Sequence, residues 1–590
     1  MARNSRLTLP FTFLLLASGA LTAQAPTQNP APAPPAPVVP RVEIEPYPFR
    51  AADGKTVEAE RGVLTVPENR KKPGGRTIRL AFVRFKATGQ KPGPPIVYLA
   101  GGPGGSGIGA ATGARFPLFT AMREFGDVIA FDQRGTGSSE PAMLCPESGA
   151  LPLGRPGAPE DMIAVWGTAA NDCAEELRRK GIDLAAYNTE ESADDLNDLR
   201  QALGAEKISL WGISYGTHLA LATIKRHGPH VHRAILAGIE GPDQTEKPPR
   251  QQQELLERIS ALAKKDPEVG PAVPDLLGLM RTVLTRLEKE PATVNIADPK
   301  TGQAIPMKLS KFDLQLATAN LLVGPETFAV LPDLYSRLAA GDWLALAYQV
   351  IPQRAAGRRS AMTFAMDCAS GATATRRKRI ADEAKTTLLG DVINFPFPGI
   401  CTFWNVPDLG DGFRANPVSD VPVLFISGTL DGRTPPENAV ELLRGFKNGV
   451  HLVIEGAGHS DPLFLSSPKI LQSMQAFLRG QPLPAARIEL PPPDFLAPRK
   501  VATVSREVLS RYVGTYRIAE NDERKVFLVG DQLFTQRTNG APQPLRPQSE
   551  TEFFYEGTPT RLRFAVTPEG KVTHMVFVQG GKEEKVPKAG

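Results

Sequence analysis

Cysteine, histidine and tryptophan are scarce in this 590-residue chain, which has four, seven and four of them. No CxxC, HExxH or His-rich tract occurs, so the pattern gives no support for a metal site, and no cofactor is implied. A GxxxxGKS or GxxxxGKT loop is missing too, which removes the usual basis for gripping a nucleotide phosphate. No stretch reaches the roughly 18 uninterrupted apolar residues that a transmembrane helix requires. Charge of one sign is also scarce. The formal net charge is +5, and about +3 once Arg3 and Arg6 are discounted as part of a leader, too small an excess to argue for a nucleic-acid partner.

What is present is ordinary for a folded chain. Hydrophobic residues make up 41% and charged residues 22%, close to a globular average. At roughly 100–200 residues per domain, the length implies two to four domains. Residues 1–25 read as a secretory signal: Arg3 and Arg6, an apolar run from Leu7 to Leu16, then small residues with cleavage after Ala20, Ala23 or Ala25. The expected location is periplasmic or extracellular, without stable membrane insertion once the leader is gone. Behind an export signal, an even number of cysteines favours disulfides. Three pairings are possible. Cys145 with Cys173 and Cys368 with Cys401 is preferred, each closing a loop of about 30 residues and contributing about 3–4 kcal/mol.

Residues 26–41 are a proline-rich tether. Apolar runs at 62–67, 78–85, 95–100, 127–132, 208–212 and 233–238, with helical spacing between several of them, predict a mostly parallel sheet covered on both faces over 42–241. Long helical patterns over 242–398 predict an insertion. Its basic run Arg376-Arg377-Lys378-Arg379 is expected to be a solvated helix face. Strand signals return at 421–428 and 450–456 and complete the sheet within 399–482. A second proline-rich linker covers 483–500. Short strand-like runs over 501–590 predict a small antiparallel sandwich or barrel.

The sequence Gly212-Ile213-Ser214-Tyr215-Gly216 lies between a strand-like ISLW and a helix-like segment. That context makes it a nucleophile elbow, a strained turn presenting Ser214. A serine hydroxyl needs a base, and His459 ends VIEGAGH immediately after an apolar strand. Asp431, in a Gly-rich turn after another strand, is the acid expected to orient it. His218, four residues beyond Ser214, is expected to pack. Amides of Gly102, in the glycine-rich stretch after PIVYLA, and of Tyr215 are the expected oxyanion donors.

GGPGGSG at 101–107, FDQRGTGSS at 131–139, GISYG at 212–216, GTLDGRTPP at 428–436 and GAGHS at 456–460 resemble, in that order, the prolyl and tripeptidyl aminopeptidases of the α/β-hydrolase superfamily. GICTFWNVP at 399–407 is similar to the start of the tripeptidyl aminopeptidase-like C-terminal region. The resemblance implies an α/β-hydrolase fold with a helical cap and an exopeptidase acting on peptides. Carboxylates would bind the substrate's free amine there, with Glu240 and Asp367 as candidates. Ser370 stands where relatives often carry an acid, and loss of amine recognition would turn the same triad toward esters or amides. A binding protein that has kept the fold without the chemistry is a further alternative. YVGTYRI resembles the opening of the small lipocalin-like barrel appended to some serine beta-lactamase-like hydrolases.

Overall fold

A computed structural model describes residues 40–146, 149–297, 303–356, 359–579 and 582–589. The expected leader and residues 26–39 of the tether lie outside the described residues. Strand β1 begins at Arg41, within a residue of the expected start of folding.

Ten strands form the main sheet: β1 (Arg41–Arg50), β2 (Thr56–Pro67), β3 (Thr77–Phe85), β4 (Ile96–Leu99), β5 (Val128–Phe131), β6 (Ile208–Ser214), β7 (Val231–Ile239), β8 (Val423–Gly428), β9 (Gly449–Glu455) and β10 (Arg487–Glu489). Their spatial order is β1-β2-β3-β5-β4-β6-β7-β8-β9-β10. The first four in that order pair antiparallel, and everything from β5 onward pairs parallel. Strands β4 and β5 are four-residue apolar runs buried along their whole length, as expected of strands covered on both faces. Clefts in such sheets lie beyond the carboxyl ends of the strands. Ser214 sits at the carboxyl end of β6, near the crossover between β4 and β5.

The chain between β7 and β8 is mainly helical, from the helix Pro249–Lys265 to the helix Ala374–Ala384. It also contains a hairpin, Ala292–Ala297 with Ala304–Leu309, that the helical spacing did not predict. Its helix Lys311–Leu321 opens on a capping box between Ser310 and Asp313, and Asp313 also takes Arg354 at 2.6 Å. The basic run corrects the expectation of a wholly solvated face. Arg376 is paired with Asp243 at 3.2 Å and Arg377 with Glu246 at 2.7 Å, so two of its four charges dock on the loop after β7. Disulfides join Cys145 to Cys173 and Cys368 to Cys401, with Cα separations of 5.4 and 5.3 Å.

Residues 483–500 are more than the bare linker expected. They supply β10, and Phe495 and Leu496 then dock on the cap at Phe328 and Ala329. Beyond them, eight antiparallel strands run in sequence order from Gly514–Ala519 to Lys582–Pro587. A bridge between Tyr516 and Lys588 brings the two ends together, giving a nearly closed barrel. The YVGTYRI signature fills that barrel: Tyr512 stacks on Phe564 at 4.2 Å, and the Tyr516 hydroxyl donates to the Tyr512 carbonyl.

A charge-balanced network joins barrel, linker and cap. Arg337 meets Asp333 at 3.1 Å and also Glu556, Arg499 meets Asp333 at 2.7 Å, and Arg546 meets Asp342 at 2.8 Å. All three arginines are buried. Removing one member of a buried ionic network strands its partners in low dielectric. Arg337→Met is therefore expected to destabilise the protein by about 3 kcal/mol, read by denaturant unfolding. An unchanged midpoint would show that the network carries no stability.

Candidate active site

Ser214 occupies the turn between β6 and the helix Tyr215–His227 with φ +54° and ψ −128°, a conformation that is strained for any residue with a Cβ. The turn closes only because Gly216 has no side chain: a Cβ there would lie 2.1 Å from the Leu99 carbonyl oxygen. Ser214 and His459 line one cavity of about 640 Å³, together with Gly101, Gly102 and Pro103. They share it without a direct hydrogen bond. Contacts of this kind often tighten only in the reacting complex.

Asp431 is fully buried. Its Oδ1 accepts the backbone N–H groups of Arg433 and Thr434, both at 2.8 Å. Its Oδ2 accepts the Thr434 hydroxyl at 2.8 Å and lies 2.8 Å from Nδ1 of His459. Four partners therefore hold one carboxylate in a single orientation. Thr434 Oγ1 also lies 3.1 Å from the same imidazole nitrogen, so the ring is addressed by two side chains. Nε2 is left free to serve the cavity.

The histidine loop is braced from two directions. The His459 N–H donates to the carbonyl of Val323 in the cap at 2.8 Å. On the other side, buried Arg115 donates to Asp461 at 2.7 Å, to Ser460 Oγ at 3.2 Å and to the Tyr98 hydroxyl. Ser460, directly after the histidine, has φ +76°, so these contacts hold a strained loop in place.

The glycine-rich loop after β4 has its own supports. Asp132 Oδ1 accepts the Ser106 hydroxyl at 2.6 Å and the Ile108 N–H at 3.1 Å, while Gln133 Nε2 donates to the Ala100 carbonyl at 3.1 Å. Burial lifts the Asp132 carboxyl above the usual range, and the hydrogen bonds that it accepts from Ser106 and Ile108 oppose the rise. Gly102 has φ +126°, which few other residues adopt. The next residue of the FDQRGTGSS motif, Arg134, is wholly buried and forks onto both oxygens of Asp195 at 2.7 Å, a packing role away from the cavity.

The two amine candidates differ in state. Glu240 is buried and already holds Lys247 at 3.1 Å. Asp367 lines the same cavity and has no ion pair or side-chain hydrogen bond among the described residues. Burial, with Glu240 nearby, pushes its carboxyl well above the usual range. Ser370 is buried in a chain of polar contacts. Its Oγ is 3.1 Å from Nε2 of His218, whose Nδ1 faces the Gly241 carbonyl at 3.0 Å. Desolvation lowers the His218 pKa and keeps that ring neutral. Arg115, Asp132, Gln133 and Thr434 received no role from the sequence. Three of them lie inside or beside quoted motifs, and only Arg115 had no motif to mark it.

A family model described as the alpha/beta hydrolase fold matches residues 94–464. The chain belongs to that family. Residues 498–585 match a second family model, a domain of unknown function, DUF3471. Among curated relatives, serine protease Hip1 of Mycobacterium tuberculosis is 28% identical over 452 residues, covering 72% of this chain and 85% of the relative. Tripeptidyl aminopeptidase of Streptomyces coelicolor is 26% identical, covering 71% and 80%. Carboxylesterase B of M. tuberculosis is 29% identical, covering 67% and 79%. Fold and relatives are those of a serine-hydrolase-type enzyme. Among the described residues of this α/β hydrolase, no helix is long and apolar enough to cross a membrane.

Proposed function

We propose that the protein is an exported serine exopeptidase that cleaves peptides from the amino terminus. Ser214 attacks the scissile carbonyl, and His459 takes its proton and later gives it to the leaving amine. Asp431 holds the imidazole and stabilises its charged form. Amides of Gly102 and Tyr215 receive the oxyanion, and water then releases the acyl group. The leader and the two disulfides support export, and the C-terminal barrel is read as a lipocalin-like accessory.

One observation carries the exopeptidase reading. The cavity has three buried or half-buried carboxylates, Glu240, Asp367 and Asp461; Lys247 pairs with the first and Arg115 with the third, while Asp367 has no ion pair among the described residues. A substrate ammonium is the cation that balances Asp367, because a charge out of water needs a partner. The relative named carboxylesterase B favours a second reading, an esterase or amidase with the same triad and no amine requirement.

Free and N-acetylated peptide anilides separate the two. The free amine is expected to raise kcat/KM by about tenfold or more, the worth of one charge-assisted contact. Equal rates would sink the exopeptidase reading. The pH dependence follows from Asp367. An ammonium binds only its ionised form, and a raised pKa means that form is lost at a higher pH than for an ordinary carboxyl. KM for the free-amine substrate should therefore climb as pH falls, while KM for the acetylated one does not. Comparing the two substrates cancels titration of the triad itself.

A further inference from the structure

Six charged side chains besides the histidine line the catalytic cavity: Arg115, Glu240, Lys247, Asp367, Arg433 and Asp461. Four of them are matched, Arg115 with Asp461 at 2.7 Å and Lys247 with Glu240 at 3.1 Å. Asp367 and Arg433 are left over. Neither has an ion pair or a side-chain hydrogen bond to any described residue, and they do not reach each other. Both are half-buried. Lys247 and, after it, Arg433 act electrostatically on the Asp367 carboxyl without pairing with it. A separated pair of opposite charges in one cleft is the imprint of a ligand carrying both complements.

The backbone beneath Arg433 is rigid. Its N–H donates to Asp431 at 2.8 Å, in the same turn that fixes Thr434. The side chain therefore starts from a fixed point on the turn that bears the candidate triad acid. A guanidinium is weakly hydrated and presents a planar fork that matches a carboxylate.

Building on the exopeptidase reading, we infer that Arg433 is a carboxylate-binding specificity residue, so that preferred substrates carry a free amine for Asp367 and a carboxylate for Arg433. That carboxylate has two sources: an acidic side chain near the substrate's amino terminus, or the free carboxyl end of a short peptide.

Matched substrates distinguish them. Glutamyl against glutaminyl anilide isolates the acidic side chain, and trialanine against its C-terminal amide isolates the free end. In the unmodified enzyme, at least one pair is expected to show about a tenfold preference in kcat/KM for the carboxylate, expressed in KM. In Arg433→Met that ratio should fall to about one, and Arg433→Lys, which keeps charge but not the fork, should retain part of it. Each ratio compares two substrates on one protein, so a general loss of activity in a variant cancels. Ratios within about twofold for both pairs in the unmodified enzyme, or a preference that survives Arg433→Met, overturn the inference. Alanyl against N-acetylalanyl anilide, run alongside, tests the amine reading by itself, and its failure would leave the carboxylate preference at Arg433 still measurable.

Discussion

Ser214→Ala is expected to reduce hydrolysis of any accepted anilide by at least about a thousandfold, since removing the nucleophile of a triad leaves only what binding and the oxyanion donors supply. A fluorophosphonate should label the unmodified protein at Ser214 and leave the variant unlabelled. Retained turnover, or labelling at another serine, would remove Ser214 from the chemistry. The backbone adds a second expectation. Ser214 is held at φ +54°, and strain of this type costs about 1–3 kcal/mol. Glycine adopts that angle without a Cβ penalty. Ser214→Gly should thus be inactive and more stable than the unmodified protein, whereas Ser214→Ala is inactive with little change in Tm. A glycine variant that melts no higher would mean the elbow stores no strain.

The next largest effect is expected at a residue that touches no substrate. A Cβ on Gly458 would fall 2.3 Å from the Gly324 Cα and 2.9 Å from the Val323 carbonyl oxygen. That carbonyl is the one accepting the His459 N–H. Gly458→Ala must push the cap segment and the histidine loop apart by roughly an ångström, and misplacement on that scale lowers rates by about a hundredfold. The loss should fall on kcat and on the rate of fluorophosphonate labelling together, because both depend on the base. Full activity in Gly458→Ala would show that the cap contact does not position the histidine.

Much of this site is legible in the sequence because each member sits beside its own strand. Ser214 is announced by glycines two residues to either side, Asp431 and His459 by the apolar runs before them. Contacts made across the fold leave no such local mark. Lys247 follows Glu240 by seven residues, but nothing in that interval says the lysine folds back onto the glutamate. Arg115 reaches residues more than three hundred positions away. Strand β1 is hidden because eight of its ten residues are exposed, so the alternation that reveals a half-buried strand is absent. Pro46 and Pro48 within it further obscure the signal, as they do on edge strands. The hairpin Ala292–Ala297 with Ala304–Leu309 is short and flanked by strong helices. Arg376 and Arg377 read as solvated because charge runs usually are, and their acidic partners on the loop after β7 cannot be seen from composition.

The network of Arg337, Arg499 and Arg546 with Asp333, Asp342 and Glu556 bears on how this protein can be taken apart. Its members come from the cap, the stretch after β10 and the barrel, so no cut between hydrolase and barrel leaves both halves whole. A chain ending at residue 482 loses the edge strand β10, and with it Arg499, Arg546 and Glu556, leaving two cap aspartates to one arginine. The tail is a separate folding unit by its sheet but not by its charges. A truncation library would report it as essential for yield whether or not it ever meets a substrate.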